Sequence, residues 1–156
     1  MPSKGVRALL RREGFRRYAW SLGIVCLAID IGYVVAVRYE IWNAEDASAL
    51  AGALQRDQLP DRWDQWGRPN RWYAVINEDQ ARQKAEETFQ RNLQLKPILR
   101  NVSYEEITYQ KMSRNRYKMM VRASVPLPLT TQLLRTFGYP DPVPWPIVVE
   151  SIGGFQ

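Results

Sequence analysis

Few residues in this chain of 156 are of types that do chemistry, and their spacing argues against catalysis. There is no histidine, the commonest general base and metal ligand. The single cysteine, Cys26, excludes a disulfide framework and the multi-ligand spacing of a zinc site. Two nominal carboxylate pairs remain. Asp61 and Asp64 lie in a stretch that reads as a loop, and Glu105 and Glu106 are neighbours in a strand, where adjacent side chains point to opposite faces. Gly153-Gly154 comes too late to open a helix and cradle a phosphate. No enzymatic activity, metal or cofactor is expected. Trp63, Trp66 and Trp72, interleaved with Arg62, Arg68 and Arg71, could stack on a sugar or bind an anion; three tryptophans in a small domain more often anchor packing or a subunit contact. Asp30 is different in kind, because it is a carboxylate inside an apolar run and such a position is a functional-site candidate by default.

That run, YAWSLGIVCLAIDIGYVVAV from Tyr18 to Val37, is 20 residues long with one charge. As a helix it reaches about 30 Å, the thickness of a bilayer core. The formal charge of +6 is concentrated in front of it: residues 1–17 hold six Lys or Arg and one Glu, net +5, leaving +1 for the other 139 residues. The basicity therefore belongs to the tail, and a nearly neutral remainder speaks against nucleic-acid binding. Positive charge on the N-terminal side alone predicts an N-terminus inside the cell and everything after about residue 38 outside. Tyr18, Trp20, Tyr39 and Trp42 flank the run as interfacial anchors would. A cleaved secretory signal would need its apolar core to end before Asp30, and no small-x-small site follows promptly.

One face of the run continues beyond it. Steps of four and three link Ala19, Gly23, Cys26, Asp30, Tyr33, Val37, Glu40, Ala44, Ala47, Ala51 and Leu54, the spacing of a helix packed on other helices. In a membrane such seams use small residues for close approach and polar ones for interhelical hydrogen bonds. The spacing predicts one helix over about 15–55, with the alanines facing partner helices, the chain's own globular part, or one on each face.

Leu27-Ala28-Ile29-Asp30-Ile31-Gly32-Tyr33, followed by Asn43-Ala44-Glu45-Asp46-Ala47-Ser48-Ala49-Leu50-Ala51-Gly52-Ala53, resembles the N-terminal signature of Tad-type (TadE/TadG-like) pilus-assembly proteins. The likeness is close over about 25 residues and loose to the end of the chain. It implies a single-pass minor pseudopilin or pilus-assembly component of the bacterial cytoplasmic membrane, non-enzymatic, with an extracytoplasmic head and pilin-like partners, and with incorporation into a pilus as a further expectation. Gly14-Phe15 resembles a prepilin-peptidase site, but such sites carry Glu at the fifth mature position and Ala19 stands there, which is closer to an uncleaved branch.

The expected organisation is a basic cytoplasmic tail over 1–17, a transmembrane helix over 18–37, its extracytoplasmic continuation over 38–55, and a small α+β head with a pilin-like antiparallel sheet over 56–156. Residues 56–72, polar with Pro60, Gly67 and Pro69, read as a loop or linker. Asn77 should cap a helix with the stripe Ala81, Ala85, Phe89 and Leu93, ended by Pro97. A strand slipping between Tyr104 and Ile107 precedes one with Tyr117, Met119, Val121, Ala123 and Val125 on a buried face. Thr130 or Thr131 should cap a short helix ending at Gly138, and a final strand over Ile147–Ile152 starts with proline, as an edge strand does. An alternative function keeps the helix as a mere anchor and gives the tryptophan loop a cell-wall or surface ligand.

Overall fold

The computed structural model describes residues 13–155. Its first element, α1 (Glu13–Ala53), is a single unbroken helix about 60 Å long. No proline interrupts it, and its second half is rich in alanine, the best helix former. Residues 1–12 of the basic tail lie outside the described residues; Gly14 and Phe15 fall in the first turn of α1, and nothing is described of their side chains.

After α1 come β1 (Arg56–Trp63), β2 (Pro69–Ile76), α2 (Glu78–Leu95), a 3₁₀ turn (Pro97–Leu99), β3 (Ser103–Ser113), β4 (Arg116–Val125), α3 (Pro128–Thr136) and β5 (Trp145–Gly154). Two antiparallel sheets result, the hairpin β1-β2 and the three-stranded β3-β4-β5. The fold class is α+β, as the sequence patterning predicts.

Core and edges follow the side-chain patterns. Tyr117, Met119, Val121, Ala123 and Val125 of the central strand β4 are buried on one face, and the last four of these form one cluster with Phe89 of α2 and Val34, Val37 and Ile41 of α1. β5 pairs with β4 alone, its Pro146 opposite Ser124, so the strand with proline near its start is an edge. The β3-β4 register slips between Tyr104 and Glu106. Asn77 caps α2 by accepting from the Gln80 amide at 3.2 Å. Gly138, with φ +75°, follows the end of α3 in the left-handed conformation that favours glycine.

Two elements differ from expectation. Residues 56–72, expected as a loop or linker, belong to a hairpin over 56–76: its turn is fixed by the Asp64 side chain, which accepts from the Trp66 and Arg68 amides at 2.8 Å each, and by Gly67 at φ +71°. The cap of α3 is neither Thr130 nor Thr131. Leu127 occupies the cap position with no side-chain bond of its own, Pro128 begins the helix, and the acceptor comes from α1.

Candidate functional site

α1 presents two chemically different faces, and the fold decides which is free. The inner face is taken up by the head. Asp30, 1% exposed, accepts hydrogen bonds from the backbone amides of Leu129 at 3.2 Å and Thr130 at 2.7 Å. A carboxylate at a helix N-terminus satisfies orphan amides and meets the positive end of the helix dipole. Three residues on, the Tyr33 hydroxyl reaches the Ile98 carbonyl at 3.4 Å. Further along, Lys96 pairs with Glu40, and the Ser151 hydroxyl donates to Asp46 at 2.8 Å.

Small residues let the head approach this closely. Gly153 of β5 lies directly on the Ala49 backbone, and a Cβ on Gly52 would stand 2.9 Å from the Tyr117 ring and 3.0 Å from the Ala81 carbonyl oxygen. Ala53, Ala81, Ala85, Ile76 and Tyr117 form a second buried cluster there. The Ala-rich stretch after Asn43 thus serves, on its inner side, contacts within the chain.

Of the seam read from the sequence, Asp30 and Ala44 are buried under the head, Gly23, Cys26, Tyr33 and Ala51 are half-buried, and Ala47 is exposed. Glu45, 0% exposed, also faces inward, and neither of its carboxylate oxygens has a hydrogen-bond partner. Burial first, then the charges of Glu150 and Asp46, pushes its pKa up to about 8, with the charge of Lys118 acting the other way.

The outer face carries Leu22, Ile24, Val25, Leu27, Ile29, Ile31, Val35, Tyr39 and Trp42, all exposed. Between these lie Ala28, Gly32 and Ala36, each exposed and four apart, on the side opposite Asp30 and Val34. A Cβ on Gly32 would meet nothing within 4 Å, so the chain's own packing makes no use of that glycine. The stripe is a small-xxx-small pattern, legible in the sequence at spacing four but overshadowed there by the longer seam on the other side. Beside it, a groove of about 430 Å³ runs between α1 and the edge strand, lined by Val35, Arg38, Tyr39, Trp42, Val148 and Glu150.

A second exposed apolar feature is the β1-β2 hairpin. Trp63, Trp66 and Trp72 are 59%, 76% and 53% exposed, so they do not pack into the head. Asp61 is paired with Arg71 at 3.3 Å, while Asp64 is occupied by the turn amides. Among the described residues, no cluster of three or more His, Cys, Asp or Glu could hold a metal ion.

By length and composition α1 can cross a membrane over Arg17–Ala53, and its most apolar window is mostly unburied, unlike the core helix of a soluble protein. Residues 19–56 match the Tad family, described as "Putative Flp pilus-assembly TadE/G-like", a span that contains both segments of the sequence signature. No curated protein and no solved structure matches the chain.

Proposed function

We propose that this chain, TadE/G-like over residues 19–56, is a membrane-anchored, non-enzymatic component of a Tad/Flp-type pilus assembly or secretion system, acting by packing α1 against the helices of other pilin-like subunits. The carrying observation is that the family match falls on a helix whose outer face keeps a small-residue stripe that its own fold does not need. Close helix approach in lipid depends on such residues, because lipid tails are as apolar as leucine and give no hydrophobic drive. The basic tail orients the N-terminus to the cytoplasm and the head to the outside of the bacterial inner membrane.

The head covers Asp30 and Ala44, and contact with neighbouring subunits is assigned to Ala28, Gly32 and Ala36 on the other side of α1, with the exposed Ala47 further along the helix. The groove between α1 and β5 continues this surface beyond the bilayer. Co-purification of pilin-like subunits with the full chain from membranes tests the reading. Gly32→Leu has room in the fold, so the head should remain intact while partner recovery falls at least about tenfold, a loss of 1.4 kcal/mol. Wild-type recovery would refute the assigned face.

A second reading is favoured by the hairpin alone: tryptophans exposed on an ordered turn suit an extracytoplasmic surface ligand or a subunit contact. Under it, Trp63→Ala and Trp66→Ala reduce binding to cell-wall material, and Gly32→Leu does not.

A further inference from the structure

α3 and a bilayer compete for the same stretch of α1. α3 seats itself between Gly23, whose Cβ position lies 3.8 Å from Leu133 Cδ2, and Asp30, which holds its first amides. If Tyr18–Val37 spans the membrane, those two levels lie about 8 and 18 Å from one face of a hydrocarbon core about 30 Å thick. α3 carries exposed Gln132, Arg135 and Thr136, and the irregular segment that follows it holds Asp141, paired with Arg135 at 2.6 and 2.7 Å. Backbone outside helices and closed sheets is not tolerated facing lipid, because its amides and carbonyls find no partner there. Docked α3 and a lipid-surrounded 23–30 segment therefore exclude one another.

The sequence around α3 suits an element that leaves and returns as a unit. Pro126 and Pro128 stiffen its entry, Gly138 at φ +75° ends it, and Pro140, Pro142, Pro144 and Pro146 extend its exit. Docking leaves a mark of compromise, since the Thr130 hydroxyl is buried with no hydrogen-bond partner.

We infer that α3 is a strap, released while α1 stands in the bilayer and latched onto Asp30 when α1 is drawn out of it. The Asp30 carboxylate changes role with position: an intramembrane polar group in the first state and the cap of α3 in the second. This rests on the membrane reading given above and concerns a different face of α1 from the partner stripe, so the two fail separately.

Hydrogen exchange of the wild-type full chain tests it, comparing detergent micelles, whose hydrocarbon can wrap the outer face alone, with phosphatidylethanolamine–phosphatidylglycerol vesicles. The amides of residues 127–137 should exchange at least about tenfold faster in vesicles. A cross-linking arm uses Gly23→Cys with Leu133→Cys in a Cys26→Ser background: a short bis-maleimide should join the pair in micelles and at least about fivefold less in vesicles. Asp30→Ala should raise exchange over 127–137 in micelles to the vesicle level. Equal protection and equal cross-linking in a chain inserted in vesicles overturns the strap alone; failure to enter vesicles overturns it together with the membrane reading; an Asp30→Ala chain as protected as wild type removes Asp30 as the latch.

Discussion

Gly153 lies so close to Ala49 that a Cβ there would stand 2.3 Å from the Ala49 carbonyl oxygen and 2.4 Å from its carbonyl carbon. The obstacle is backbone on both sides, so no side-chain rotation relieves it. Gly153→Ala must push β5 away from α1 and should destabilise the head by at least about 1–3 kcal/mol, read as a lower midpoint in thermal or denaturant unfolding of the full chain in detergent. An unchanged midpoint would mean that the sheet and α1 are not packed this tightly.

Glu45 makes stability depend on pH in a direction opposite to most acidic residues. Its folded pKa, pushed up to about 8, lies above the ordinary value of 4.5, so the folded state binds the extra proton between those limits. The contribution is fully favourable below about pH 4.5 and is lost as pH rises through 8. Glu45→Gln keeps the shape and removes the titration. It should unfold at least about 4 °C above wild type at pH 9, with the gap closing toward pH 5. A constant gap across that range would show that Glu45 is not titrating in its buried site.

The hairpin tryptophans should be thermodynamically idle. Trp66→Ala removes a side chain that is mostly in water and leaves intact the Asp64 bonds that fix the turn, so its unfolding free energy should stay within about 0.5 kcal/mol of wild type. Acrylamide should quench a share of the wild-type emission that disappears with this residue. A large stability loss would place Trp66 in a packed environment instead.

Sequence reading succeeded where a pattern and its cause are local. The alternation from Tyr117 to Val125 reflects one buried face of β4, Asn77 sits three residues before the amide it caps, and Gly138 marks the end of α3. Residues 56–72 read as a loop because nearly all of them are exposed and the register slips after Pro60, leaving no two-residue rhythm to detect. The cap of α3 was invisible for a different reason: its acceptor, Asp30, is a hundred residues away, and no spacing rule reaches that far. The four-three seam of α1 identifies a packed side, but periodicity cannot name the occupant, and over Asp30 to Ala44 the occupant is the chain's own head. The stripe Ala28-Gly32-Ala36 is the small-residue side that the head leaves exposed.

The pairing of α1 with β5 also fixes when this molecule can mature. β5, the strand that lies on Ala49, follows α1 and all the other described elements in the chain, so this core cannot close until the segment through Gly154 has been synthesised. Until then the alanine-rich shaft beyond Val37 stands with its inner side bare, an apolar strip that β5 covers only afterwards.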